Sequence, residues 1–223
     1  DKVINSSHNL LSTVAWKIGN SVSYAIEGSV FIGGAVIQWL RDELLFFREA
    51  ADSEALAEAA EDNGGVYFVP ALAGLGAPYW DPYARGAIFG ITRNTNKAHL
   101  TRAALESICF QVNDLLDALR KDHANISTQL RADGGASANN LLLQFQADIS
   151  EQTLVRAEQI ETTAMGAAYL AGLACGLWNL EDLKLKENTE NVFIPSMDVA
   201  KRAALLNSWY KAIDRTRNWE KDE

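Results

Sequence analysis

The sequence predicts an α/β protein, a mixed sheet flanked by helices, on three observations. Short β-branched and aromatic runs stand at Val66–Val69 and Thr153–Arg156, and from Lys97 to about Arg120 apolar residues step by three and four. The stretch from Gln129 to Ile149 reads strand, glycine turn, helix. With 223 residues, 48% of them apolar, the chain can build a true core, as one large domain or two small ones.

The elements follow in order. Val14, Trp16, Ile18 and Val22, Tyr24, Ile26 alternate around Gly19-Asn20, which predicts a tight hairpin. After Gly33-Gly34 the period becomes helical, with Val36, Trp39, Leu40, Leu44 and Phe47 on one face. The Ala/Glu-rich stretch from Ala50 to Asp62 predicts an exposed helix without chemistry, ended by Asn63-Gly64-Gly65. Val66–Val69, closed by Pro70, suits a strand buried on both faces. A loop dense in Gly, Pro and aromatics, Ala73 to Arg85, precedes a strand-like run from Gly86 to Ile91, then the long amphipathic helix, whose face is Leu105, Ile108, Val112, Leu115 and Leu119. Thr163 to Gly176 is helical and rich in Ala and Gly, which predicts close packing on a neighbour as compensation for its glycines. A polar connection near Lys184 to Asn191 leads to a terminal helix marked by Val199, Leu206 and Ile213.

Twenty basic against 29 acidic side chains give a net charge of -9, with no Lys/Arg block, which argues against nucleic-acid and anionic-membrane partners. No apolar run approaches the ~20 residues that cross a bilayer. Cys109 and Cys175 sit in apolar helical patterns and are expected to be reduced core residues, and with no secretory leader pattern the expected location is cytoplasmic. The chain opens on Asp1 rather than Met, which suggests a piece of a longer polypeptide. Most of the six tryptophans fall at helical spacing and are expected in the core, with Trp80, in the loop, as the exception.

Two segments share one design, Gly33-Gly34 and Gly134-Gly135, each expected where a strand hands over to a helix N-terminus. Without a Cβ the backbone can approach a ligand closely, and the free N–H groups at a helix start favour an anion such as phosphate. Such a pair serves a plain turn as readily, so either site alone stays open between turn and ligand. Asp133 admits a metal-binding or proton-accepting reading, but Asp before Gly-Gly is what turn chemistry selects. His8, His99 and His123 are scattered without metal-ligand spacing to the cysteines. There is no Gly-x-Ser-x-Gly elbow, no Walker-type loop and no Gly-x-Gly-x-x-Gly.

The run Gly74-Leu75-Gly76-Ala77-Pro78-Tyr79-Trp80-Asp81-Pro82-Tyr83-Ala84-Arg85-Gly86-Ala87-Ile88-Phe89-Gly90 resembles the hallmark segment of the glycerol kinases in the FGGY carbohydrate-kinase family. The residues that follow, Ile91, His99-Leu100 and Ala103-Ala104-Leu105-Glu106, are similar to that family's second signature, and Asp133 to Asn140 resemble its adenosine motif. Glu27 to Leu40 resemble its strand-to-helix segment, so the resemblance spans nearly the whole chain.

The resemblance implies residues 1–223 to be the C-terminal, ATP-binding domain of a two-domain kinase, with the ribonuclease-H-like core shared with actin and hexokinase. It implies that Gly34 and Gln38 approach the nucleotide from one side and Gly135 and Asn139 from the other, with Gly134 shaping the turn. ATP with Mg2+ is the implied cofactor, glycerol the implied acceptor, and a homo-oligomer the implied assembly. The family's general base, its glycerol-binding groups and its first phosphate loop belong to the N-terminal domain. No catalytic residue and no metal ligand is therefore expected here, and the isolated chain is expected to be inactive. Another carbohydrate kinase of the family, or a non-catalytic actin-like nucleotide module, remains as an alternative.

Overall fold

The computed structural model describes residues 3–123, 127–158, 161–183 and 191–221. The hairpin forms as the alternation predicts: β1 (Leu11–Ile18) and β2 (Ser21–Glu27) pair antiparallel around Gly19-Asn20, with Gly19 at φ +56°. Gly28 seats it, because a Cβ there would lie 2.5 Å from the Leu115 side chain. Helix α1 (Ala35–Asp42) is shorter than its apolar pattern suggests. The Phe46 N–H closes back on the Leu40 carbonyl at 3.1 Å and Leu45 takes φ +55°, so Phe46 and Phe47 reach the core by chain reversal and not along the helix.

Helix α2 (Asp52–Glu58) is also shorter than expected, and it is not merely exposed. Ser53 and Ala57 are buried, and the turn that ends it is pinned to the long helix α3 (Lys97–Asp122). Arg102 of α3 donates to the Ala60 carbonyl at 2.9 Å and to Glu106 at 3.0 Å, while Asn63 donates to Glu106 at 2.8 Å. Burial pushes the Glu106 carboxyl upward while Arg102 pulls it down. Strands β3 (Tyr67–Val69) and β4 (Ala87–Phe89) pair antiparallel. At their edge Gly90, at φ +80°, passes so close to Gly65 that a Cβ would lie 2.0 Å from its carbonyl oxygen.

Helix α3 starts at a reciprocal cap: Asn96 Oδ1 accepts from the Ala98 and His99 N–H groups, and His99 Nδ1 accepts from the Asn96 N–H. His99 is thereby a structural residue, and His8, 2.7 Å from Asp122, ties the N-terminal segment to the far end of the same helix. Beyond it, β5 (Gln129–Ala132) and β6 (Thr153–Arg156) run parallel, and β6 pairs antiparallel with β7 (Val192–Phe193). The strands thus form two hairpin-like pairs and one mixed sheet. Between β5 and β6 lies α4 (Asn140–Ser150); α5 (Thr162–Ala174) and α6 (Val199–Thr216) follow. The connection expected over Lys184 to Asn191 lies outside the described residues up to residue 190.

The core joins α1, β3, α3, α4 and α6. Phe110 stands at its centre, stacked on Trp209 at 5.0 Å and edge-on to Phe145 at 5.4 Å. Not every expected core residue reaches it. Cys109 is buried but Cys175, just past α5, is exposed, and Trp16 and Trp219 are exposed as well. The small residues of α5 do not pack on a neighbouring element: among its described residues only Gly172 is buried, beneath Trp178, which folds back over the same helix.

Asp114 on α3 is 5% exposed, and its Oδ2 accepts from Trp209 Nε1 and Tyr79 Oη, both at 2.9 Å. Burial raises its carboxyl to about 7, against the two donors, which lower it. The native state therefore holds this proton more tightly than the unfolded chain. The associated stability is complete below an ordinary aspartate value and is lost as pH rises through about 7. Asp114→Asn keeps the shape and an acceptor oxygen but cannot ionise. At about pH 8 it should be more stable than the parent by up to about 4 kcal/mol, with the advantage shrinking towards about pH 5. Urea unfolding at the two pH values measures this, and an advantage that does not depend on pH would contradict it.

Candidate functional site

The two glycine segments meet across a single crevice. Gly34 is the N-cap of α1, at φ −54° and ψ −19°, with no side chain bonded over the helix start. The first backbone bonds of that turn run from the Val36 N–H to the Gly33 carbonyl and from the Ile37 N–H to the Gly34 carbonyl, both at 3.1 Å. The N–H groups ahead of them have no intrahelical partner. Opposite, β5 ends and Gly134 takes φ +80° and ψ 168°, a conformation that only glycine adopts without strain. A 3-10 turn, Gly135–Ala138, follows, again without a side-chain cap. A Cβ on Gly34 would lie 3.6 Å from the Ala136 Cβ, whereas one on Gly135 would meet nothing within 4 Å.

This corrects the expected strand-to-helix handover at both places. An irregular stretch, residues 28–33, separates β2 from α1. The 3-10 turn separates Gly134-Gly135 from α4, because Ser137 folds back on the Gly134 carbonyl with its N–H at 3.0 Å and its hydroxyl at 2.7 Å. Of the two pairs only Gly134 has positive φ.

Between the segments lies a cleft of about 680 Å³. Gly34, Gln38, Gly134, Gly135 and Asn139, the five residues singled out from the sequence, all line it. Its floor is apolar, with buried Ile37, Leu105 and Leu142, and the start of α2 with the two residues ahead of it supplies a wall that sequence reasoning missed: Ala50, Ala51, Ser53 and Glu54. Glu54 Oε1 accepts the N–H groups of Asn140 at 2.8 Å and Leu141 at 3.2 Å, and Asn139 Oδ1 accepts that of Leu142 at 2.9 Å. The α4 N-terminus is therefore closed by a carboxylate and an amide. The anion-attracting ends left in the cleft are the uncapped starts of α1 and of the 3-10 turn. No local pattern announces the Glu54 contact, which joins residues 86 apart in sequence.

Asp133 lines the cleft, and its Oδ2 accepts from the Thr162 hydroxyl at the start of α5, a long-range contact and not a bond within its own turn. Among the described residues no group of three or more His, Cys, Asp or Glu side chains is placed to hold a metal ion. No helix among them is long and apolar enough to cross a membrane.

The Gly- and aromatic-rich loop lies away from the cleft lining and acts as a brace. Leu75 and Asp81 exchange backbone bonds at 2.8 and 3.0 Å. The Asp81 carboxylate accepts the N–H groups of Tyr83, Ala84 and Asn218 at 2.9, 3.1 and 2.8 Å. A Cβ on Gly76 would lie 2.1 Å from the Ser29 carbonyl oxygen, whose bond to the Ala77 N–H, at 2.9 Å, fastens the loop to the approach into α1. Trp80 stands edge-on to Phe31, within that approach, at 6.0 Å and donates to the Asn9 carbonyl, ahead of β1, at 2.7 Å.

Comparison with known proteins places this architecture. The chain is 56% identical over 215 residues to the glycerol kinase of Parabacteroides distasonis, an overlap that covers 96% of this chain and 43% of that protein. The solved structure of Plasmodium falciparum glycerol kinase with ADP superposes with a TM-score of 0.84 at 35% identity, over 96% of this chain and 43% of that one. A ligand-bound xylulose kinase from Lactobacillus acidophilus gives 0.76 at 28%, with the same coverage. The chain thus spans less than half the length of these relatives, and it shares their α/β, actin-like ATPase fold. Residues 2–175 match the model of the FGGY family of carbohydrate kinases, C-terminal domain. With that match, and over a fold common to glycerol and xylulose kinases, the chain belongs to the FGGY family of carbohydrate kinases.

Proposed function

We propose that this chain is the nucleotide-binding domain of a glycerol kinase, and that the complete enzyme transfers the ATP γ-phosphoryl group to glycerol. The observation that carries the reading is the convergence of Gly34, Gln38, Gly134, Gly135 and Asn139 on one cleft with two uncapped backbone N-termini facing into it. Backbone N–H groups bind phosphate locally, so the net charge of -9 does not oppose it. Gln38, exposed on α1, is free to bond the ligand with its amide, and Asn139, its Oδ1 engaged in the cap, retains its NH2 group as a donor. The apolar floor suits the flat face of a base.

Of the carboxylates in the cleft, Glu54 bonds the start of α4 through Oε1 and Asp133 accepts from the Thr162 hydroxyl through Oδ2. Phosphoryl transfer needs positioning and charge stabilisation on both sides of the γ-phosphate. The base, the glycerol site and the opposing phosphate contacts would come from an N-terminal domain that closes over this one. Mg2+, the implied partner of ATP, would be held mainly by the nucleotide's phosphates and water, since such sites need only one or two carboxylates. The test is ATP-dependent phosphorylation of glycerol. The two-domain enzyme should turn over and the chain alone should not. Activity on a pentulose or gluconate but not on glycerol would reassign the substrate within the family, and turnover by the chain alone would contradict the division of labour.

A further inference from the structure

We propose that Glu54 selects the base of the bound nucleotide, favouring adenine by accepting a hydrogen bond from its 6-amino group. The inference rests on the nucleotide reading above and goes beyond it. The carboxylate is held in place, since Oε1 takes the N–H groups of Asn140 and Leu141 at 2.8 and 3.2 Å. Oε2 has no hydrogen-bond partner among the described residues, and the half-buried side chain forms part of the cleft wall. The remaining side-chain oxygens near it are engaged, Ser53 Oγ with the Ala50 carbonyl at 2.6 Å and Asn139 Oδ1 in the α4 cap.

The charge pattern also fixes which way a nucleotide lies. The uncapped start of α1 and the free backbone N–H groups of the Gly134-Gly135 turn attract phosphates, while the Glu54 carboxylate repels them. Phosphates therefore sit by Gly34 and Gly135, and the base lies towards α2, where Ala50, Ala51 and Leu142 offer apolar surface around Glu54. A base with an amino group at position 6 gives Oε2 a donor. One with a carbonyl there sets two acceptors against each other, the kind of mismatch that discriminates most strongly.

Titration of the chain with ATP and with ITP, which differ at position 6 and at the adjoining N1, an acceptor in ATP and a donor in ITP, tests the proposal by NMR or calorimetry at millimolar nucleotide. The wild type should bind ATP about ten-fold more tightly than ITP, as expected for one charge-assisted hydrogen bond. Glu54→Gln retains an oxygen for the two α4 amides and replaces the acceptor with an NH2 donor. It should weaken ATP about ten-fold and strengthen ITP, so that the preference disappears or inverts. Equal weakening of both nucleotides would mean that Glu54 only holds α4, and an unchanged ratio would mean that it does not touch the base; either overturns the proposal. If wild type binds neither nucleotide, the nucleotide reading itself fails and the proposal with it.

Discussion

Trp209→Ala should abolish cooperative folding of the chain. The indole is fully buried, stacks on Phe110 at 5.0 Å and donates to Asp114 at 2.9 Å. Truncation of a buried aromatic costs about 3–5 kcal/mol. Removing the indole donor also leaves the buried Asp114 carboxyl with Tyr79 as its one partner, an under-satisfied polar group worth about 1–3 kcal/mol more. The sum approaches the whole stability of a domain, about 5–15 kcal/mol. Thermal unfolding followed by circular dichroism should show a broad transition or none. Trp209→Phe, which keeps the stack and loses the donor, should lose about half as much. A sharp transition within a few degrees of the parent for the alanine variant would mean that α6 is not integral to the core.

Gly135→Val should have the opposite profile, an intact fold and lost ligand binding. A Cβ there meets nothing within 4 Å and the backbone is not left-handed, so the melting temperature should stay within about 2 °C. The isopropyl group would stand on the exposed rim of the cleft beside the uncapped N–H groups and hold phosphate away from them. ATP affinity should fall at least about thirty-fold. Gly134→Ala separates the two effects, because φ +80° with ψ 168° strains any side chain and should cost about 1–3 kcal/mol of stability. Wild-type affinity in a folded Gly135→Val would remove this glycine from the site.

The elements legible in the sequence are those whose information is local. The β1–β2 hairpin follows from alternation around Gly19-Asn20, and α3 from a long apolar stripe behind an Asn cap. The paired glycines of the cleft are visible because glycine carries backbone geometry in its identity, whereas Gln38 and Asn139 follow from the family resemblance. Long-range contacts set the rest. The apolar pattern of α1 continues past Asp42, yet the chain reverses there because Phe46 and Phe47 find the core by another route. The Ala/Glu composition of α2 suggests a solvated helix, whereas Arg102, Asn63 and Glu106 draw its end onto α3 and Glu54 reaches the start of α4. The segment most distinctive in the sequence, Gly74 to Gly90, braces the fold and not the cleft, because its glycines serve backbone-to-backbone contact, Gly76 with the approach to α1 and Gly90 with Gly65.

The central claim is that one cleft, walled by α1 and by the glycine turn after β5, holds the nucleotide. Titration of ATP into the isotopically labelled chain, read as amide shifts, tests it most directly. The account predicts concentration-dependent shifts at Gly34, Gln38, Gly134, Gly135 and Asn139 together, lost in Gly135→Val. Shifts confined to a separate hollow, formed by His8, Tyr79, Lys121 and Arg217 among others, with none at the paired glycines, would contradict it.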